Sequence, residues 1–422
     1  MLLKEDRQDR LPPIVRRMLL GVTLSALGNG LVLPFAFVYF HSVRHIPTSI
    51  AGLVFSYGAI ISLLGAPLVG SLIDKWGPRP ILILSLAITG IGYASFSLIR
   101  SVSDAFLVMT VCAVGNSAVW PSQGALSTEL TPDHLRERIY GIQFALLNLG
   151  LGLGGLASSL VVSIDKPHTF EVLYIGDGIS FFVYILVVLT LKNVGHRSKE
   201  QRAHNATLEG GWGDVIRDRV FVKVWIVALF AIFLSYSQLE VGFTSFATTV
   251  ADVEPARLPW AYAVNTAVIA IFQLWVIKKL EKMPRARGLG LAMLFWAAAW
   301  AILAMAGVMK GFAVPAIILC QFVFALGEMI WSPIMPAIVN QLAPDHLRGR
   351  YNSASTNTWQ IGMIMGPASA GVLLGAGLWG VWLGVLFGGL LLLALFALRL
   401  KLPERPTRGD SDLGQTKEGS TQ

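Results

Sequence analysis

Three acidic side chains, Asp177, Glu240 and Glu328, fall inside long apolar stretches of this sequence, and no Lys or Arg lies in those stretches to pair with them. An ionisable group at the centre of a membrane helix costs about 2.5 to 3.5 kcal/mol on insertion scales and marks an ion or substrate pathway. Without a basic partner, each carboxyl must be protonated, reached by water, or neutralised by a cationic ligand. Desolvation favours the protonated form and a bound cation the ionised one, which suits exchange of protons for lipophilic cations. Glu328, near the middle of its stretch beside Gly327 and Trp331, is the sharpest candidate for both proton coupling and substrate binding. Asp177 and Glu240 are further proton-coupling candidates, the first in the outer third of its span between Gly176 and Gly178, the second following Tyr236 and Gln238. Gating or structural roles stay open for both. Six amides, Asn29, Asn116, Gln238, Asn265, Gln273 and Gln360, are candidates to line a cavity, although buried amides serve as often to hold helices together. Trp331 and Trp359 offer faces that attract cations.

Elements able to position these groups must cross a bilayer. Only 14% of the 422 residues are charged while 54% are hydrophobic, and the apolar residues come in blocks of about 20, the length of a spanning helix. Twelve blocks are expected, at Met18 to Phe40, Ile50 to Ile73, Pro80 to Ile99, Ala105 to Ala125, Ile139 to Ser163, Val172 to Leu191, Val224 to Phe246, Trp260 to Ile277, Gly288 to Met309, Phe312 to Val339, Tyr351 to Gly375 and Leu378 to Leu398. Of the 33 Lys and Arg, all but Arg44, Arg100, Lys166, Arg257 and Lys310 fall in connectors on one side. Short basic connectors stay in the cytoplasm, so both termini are expected there, in a plasma membrane. The net charge of +8 is then a topology signal, and the basic residues are too dispersed for nucleic-acid binding. The seven histidines lie in connectors and the two cysteines, Cys112 and Cys320, in apolar blocks, so no metal site is expected.

The chain repeats itself. Thr131 to Arg138 and Ala343 to Arg350 match at six of eight positions, almost half a chain apart, and the alignment carries Gly115 onto Gly327, Pro121 onto Pro333, Gly150 onto Gly362 and Gly154 onto Gly366. The expected architecture is therefore an all-α integral membrane protein of two pseudo-symmetric six-helix bundles, residues 1–191 and 224–402, with a cytoplasmic linker at 192–223 and a disordered cytoplasmic tail at 403–422. Parallel six-span repeats form alternating-access transporters with the substrate path between the halves.

The run from Gly70 through Asp74, Lys75, Gly77 and Arg79 resembles the signature between spans two and three of the major facilitator superfamily, and the resemblance covers essentially the whole chain. The second-half counterpart, Leu280 to Arg285, is a degenerate echo. Physically, Gly70 permits close helix approach and Asp74 suits the positive end of a neighbouring helix. The resemblance implies a gate at this segment, latching the two halves on the cytoplasmic side and releasing during the cycle. Gly150 and Gly154 in span five, with Gly362, Gly366 and Pro367 in span eleven, are similar to a glycine signature of drug and proton antiporters, and glycines four apart permit tight packing whatever is carried. The Gly-Glu pair at 327 and 328 resembles a motif of single-component bacterial multidrug exporters. Many proton antiporters of this superfamily carry an arginine in span four where this chain has Val111, so any proton coupling here must rest on carboxylates alone.

These readings converge on a monomeric secondary transporter, not an enzyme, needing no cofactor beyond the proton gradient and exporting small amphipathic or cationic compounds. The alternatives are a uniporter or symporter for a neutral metabolite such as a sugar and, more distantly, a membrane enzyme or receptor. An anionic substrate would want an intramembrane cation, and the sequence offers none.

Overall fold

The computed structural model describes residues 11–32, 35–36, 39–163, 166–192, 194–198, 200–201, 210–254 and 257–403. Among the described residues, twelve long helices cross the molecule. In the first half they are α1 (Pro13–Val32), α2 (Thr48–Trp76), α3 (Pro78–Ser95), α4 (Val102–Leu130), α5 (Arg136–Ser159) and α6 (Pro167–Leu189). In the second they are α7 (Arg219–Leu234), α8 (Leu258–Leu280), α9 (Arg285–Val308), α10 (Ala313–Leu342), α11 (Arg348–Gly375) and α12 (Trp379–Leu398). Local chemistry sets several starts. Proline occupies the first turn of α3, α6 and α8, where its missing N–H costs nothing. Ser101 and Asp104 form a reciprocal cap on α4, and the Asp218 carboxylate accepts the Val220 and Phe221 N–H groups, both at 3.0 Å, to begin α7.

Ten of the helices are long and apolar enough to cross a membrane on composition alone. The other two, α1 and α11, carry Arg16 and Arg17 or the polar run from Asn352 to Gln360, and both pack against other helices on faces that need not be apolar. Large apolar side chains such as Leu64, Leu160 and Leu392 stand 70% or more exposed around the outside, as a lipid-facing belt does. The helices run past the expected spans mainly at the end where the basic connectors lie, hereafter the basic end; α2 reaches Trp76 and α10 reaches Leu342.

Two expected spans are not continuous helices. In span one the described α-helix is α1, ending at Val32, and a π turn lies at Tyr39–Val43. Span seven stops at Leu234 and continues through a 3₁₀ turn, Tyr236–Gln238, and π turns at Leu239–Phe243 and Phe246–Val250. The cause is legible in the side chains: Ser235, Ser237 and Gln238 all donate back to carbonyls of the preceding turn, at 2.5 Å to Ala231, 2.8 Å to Phe233 and 2.9 Å to Phe233. Such bonds compete with the helical ladder and bend it.

Packing repeats with the sequence. A Cβ on Gly154 would sit 2.3 Å from the Leu27 carbonyl oxygen, and one on Gly150 2.7 Å from Ala26, so α5 lies backbone to backbone on α1. In the second half a Cβ on Gly362 would meet Ile232 at 2.6 Å and one on Gly366 would meet Ser237 at 2.1 Å, which sets α11 on α7 in the same way; Pro367 follows directly inside α11. The connector between the halves contains a short helix, Trp212–Arg217, whose Trp212 Nε1 donates to Ser71 Oγ of α2 at 3.2 Å. The expected tail beyond Pro403 and the linker residues 202–209 lie outside the described residues.

Candidate functional site

Glu328 sits at the midpoint of α10, 6% exposed, facing α8. Its Oε2 accepts from Asn265 Nδ2 at 2.6 Å, and the Tyr236 hydroxyl reaches the same carboxylate from the broken segment after α7. Around it stand rings from four elements. Tyr236 lies 5.0 Å from Trp359 of α11, 5.5 Å from Trp296 of α9 and 5.9 Å from Phe324, centroid to centroid, and Trp331 lies 5.6 Å from Trp296. Trp331 is buried, whereas Trp359 is 42% exposed and forms the open edge of the group. The result is a carboxyl group lined by aromatic faces and amides.

Polar groups extend this site along α8 and α10. Gln273 is fully buried, donates to the Met329 carbonyl at 3.1 Å and leaves its own oxygen without a partner among the described residues. Gln321, two turns before Glu328, is fully buried with neither amide atom hydrogen-bonded among the described residues, and the Trp296 Nε1 donor is likewise unpartnered. Buried polar groups almost always find partners, so this cluster is exceptional. Gln321, Tyr236 and Trp296 are the members that sequence reasoning did not place at the site. For Gln321 the signal exists, since residues seven apart share a helix face; for Trp296, in an apolar helix with no polar neighbour, none does.

The remaining expected site residues divide. Gln238 is fully buried and spent inside the second bundle: its Nε2 donates to Phe233 and Ser369, the latter at 3.3 Å, and its oxygen accepts from Trp382 Nε1 at 2.9 Å. It braces the break in span seven, contrary to the expected substrate contact. Glu240 falls in the π turn Leu239–Phe243, and its side chain lies outside the described residues. Asn29 and Gln360 are half-buried on α1 and α11.

Asp177 is at mid-helix in α6 and fully buried, not in a watery outer third as its glycine neighbours implied. One oxygen accepts from Ser180 at 3.2 Å and the other has no partner among the described residues. A Cβ on Gly28 would lie 2.5 Å from that carboxyl group, so α1 presses directly on it. Half-buried Asn116 belongs to this first-half group, hydrogen-bonded to Tyr93 of α3. No contact joins Asp177 to Glu328 among the described residues, so these two expected coupling acids do not form one cluster.

At the basic end the two halves meet. Asp74 Oδ1 accepts the Gly349 N–H at 2.6 Å, and its Oδ2 accepts the Arg350 N–H at 3.3 Å and the Arg350 guanidinium at 3.0 Å. A carboxylate at a helix start stabilises the positive end of the dipole. A Cβ on Gly70 would lie 2.9 Å from Arg350 Cα, which explains a glycine there. Gly77, with φ of +90°, turns the chain into α3 where a Cβ would strike the Gly195 carbonyl at 2.3 Å. Arg79 stays within the first half, donating to the Val188 and Leu189 carbonyls at the end of α6, at 3.2 and 3.0 Å. Exposed Lys75 stacks over Trp76 at 5.9 Å. Beside this latch a buried tetrad crosses the seam: Tyr140 contacts Thr128 at 2.7 Å and accepts from Asn340 at 2.9 Å, and Asn340 pairs with Asn352 at 2.8 Å. Arg285 of α9 adds an ion pair to Glu137 of α5 at 2.6 Å.

Comparison with known proteins agrees with this architecture. The sequence pattern of the Major Facilitator Superfamily matches residues 18–306 and 252–421. The chain is 23% identical over 375 residues to the uncharacterized MFS-type transporter YttB of Bacillus subtilis (strain 168), covering 86% of this chain and 89% of that one. It is 23% identical over 363 residues to Multidrug resistance protein 2 of the same organism, covering 84% and 87% respectively. Among solved structures, a bacterial homologue of the iron transporter ferroportin in its outward-facing state superposes with a TM-score of 0.75 at 14% identity, covering 92% of this chain and 99% of the other. With the match to the family pattern over nearly its whole length, two six-helix bundles and a sealed seam at one end, the chain belongs to the Major Facilitator Superfamily.

Proposed function

We propose that this transporter exports small amphipathic or cationic compounds in exchange for protons, with Glu328 as the coupling carboxylate. The observation that carries the reading is the Glu328 carboxyl group within aromatic faces at mid-helix, hydrogen-bonded to Asn265 and without a basic partner among the described residues. A desolvated carboxylate is costly unless a proton or a cation neutralises it. Proton and substrate therefore compete for one group, and that competition is the exchange. Aromatic faces add about 0.5 to 2 kcal/mol for a desolvated cation.

The basic end is the cytoplasmic side in this reading, by the excess of Lys and Arg in its short connectors. The Asp74 latch and the Tyr140–Asn340 seam then close the cytoplasmic side, and the two bundles rock about Glu328 when these contacts release. The bacterial cell membrane is the setting in this reading, and one bacterial relative is a multidrug resistance protein. One chain carries both halves, so a monomer suffices.

The test is transport in proteoliposomes under an imposed pH gradient, offering cationic, neutral and anionic solutes in parallel. Gradient-driven movement of cationic dyes opposite to protons is the expected result. Accumulation of a neutral metabolite along the proton gradient would replace the exporter reading with a symporter.

A further inference from the structure

The same corner of the fold is built differently in the two halves. In the first, where α2, α3 and α6 end together, the chain leaving α6 folds over the corner: the Gly195 carbonyl accepts the Arg79 N–H at 3.0 Å, and the Arg197 N–H reaches the Trp76 carbonyl at 3.3 Å. In the second, where α8, α9 and α12 end, the Arg285 guanidinium instead turns inward to Glu137, and the chain leaving α12 passes it at Pro403. A groove of about 540 Å³ is left open there, lined by Lys279, Lys282, Met283, Pro284, Arg287, Gly290, Leu291, Leu294 and Leu398. Its floor is the close approach of α9 to α12, where a Cβ on Gly290 would lie 2.9 Å from Leu398.

Two chemistries meet in this groove. Its wall is apolar and faces outward, with Leu294 43% and Leu398 46% exposed. Its mouth holds three cations, Lys279, Lys282 and Arg287, none of which pairs with a carboxylate among the described residues. Glu281, between the two lysines in sequence, is exposed and does not line the groove. Lys279 also lies 5.6 Å over the ring of Trp275, itself 60% exposed, an aromatic and basic pairing suited to the membrane boundary. A solvated basic loop needs neither the apolar trough nor the aromatic neighbour.

We propose that this groove binds an anionic phospholipid, its phosphate held by Lys279, Lys282 and Arg287 and an acyl chain laid along Leu291, Leu294 and Leu398. Basic pockets between helices on the cytoplasmic side recognise such headgroups, and each cation near an anionic surface adds about fivefold to binding. Charge complementarity selects the anionic lipid over a zwitterionic one, and the open trough selects a lipid over a soluble phosphate. The leaflet follows from the orientation proposed above, but binding itself does not.

The test uses the full chain, delipidated in detergent and titrated with phosphatidylglycerol or phosphatidylcholine, with bound lipid counted by native mass spectrometry. Phosphatidylglycerol is expected to bind at least tenfold more tightly than phosphatidylcholine. The K279Q/K282Q/R287Q variant should lose that preference, by about a hundredfold if the three contributions multiply. L294W, which fills the trough and leaves every charge in place, should reduce binding of both lipids. A matched thermal transition for each variant certifies the fold. Equal retention of phosphatidylglycerol by the triple variant overturns the proposal, as does full competition by inorganic phosphate. A rise in lipid occupancy on deleting residues 404–422 would assign the groove to the chain's own tail and overturn it too. Because no transport is measured, failure here leaves the exporter reading intact, and failure of dye exchange leaves this one intact.

Discussion

Glu328 and Asp177 are both carboxyl groups at mid-helix, both without a basic partner among the described residues, and their surroundings differ in kind. Glu328 borders rings and amides from α8, α9, α10, α11 and the broken end of span seven, one of which, Trp359, is 42% exposed. Asp177 is pressed between Ser180 and the backbone of α1 at Gly28, fully buried. Burial of an acid is therefore common to both, and what separates them is the neighbourhood: aromatic rings with an exposed edge at Trp359 beside Glu328, close-packed backbone beside Asp177. The proposed exchange rests on the first carboxyl group and not on the second.

The comparison predicts unequal responses. The largest belongs to the Asp74 latch, which in the proposed cycle governs access to Glu328 from the basic end. Asp74→Ala leaves the Arg350 guanidinium and the start of α11 without their acceptor, and loss of one partner of a buried pair costs about 3 to 5 kcal/mol. Thiol labelling of a cysteine placed at Asn340 should rise at least tenfold, and an unchanged rate would mean that the latch does not hold the seam. Next, Gly28→Val drives a branched side chain into Ser180 and Asp177 and should destabilise by about 1 to 3 kcal/mol, read as a lower thermal transition with any residual coupling unchanged. Loss of coupling without loss of stability would move Asp177 into the transport site. The smallest effect belongs to Trp359→Ala, which should weaken cationic dye binding by about 0.5 to 2 kcal/mol and leave stability within the range of a surface change. Trp359→Phe should recover part of it.

Much of this fold was legible because bilayer physics writes it plainly. Apolar length, confinement of Lys and Arg to connectors, and the repeated Pro-Asp-His-Leu-Arg turns foretell twelve helices in two related bundles. The break after Leu234 was hidden, since it depends on whether Ser235 and Gln238 bond backward to the backbone or outward to a neighbour. For the same reason Gln238 reads as a ligand in one dimension and proves to be a brace on Trp382 in three. Glu328 stood out because an acid in an apolar helix has few structural uses, whereas Trp296 gains its meaning only from the rings packed around it. The groove beside Lys279 was invisible for another reason: it depends on how α9 packs on α12, which the Leu280 to Arg285 sequence does not state.

The most direct test sets the two carboxyl groups side by side. Purified Glu328→Gln and Asp177→Asn proteins, each with a thermal transition matched to the parent, are reconstituted and compared for dye movement driven by a pH gradient and for dye exchange without one. The account predicts that Glu328→Gln abolishes gradient-driven movement, at least tenfold, while Asp177→Asn retains it within about twofold. Gradient-driven transport that survives in Glu328→Gln, or fails in a stable Asp177→Asn, would contradict it.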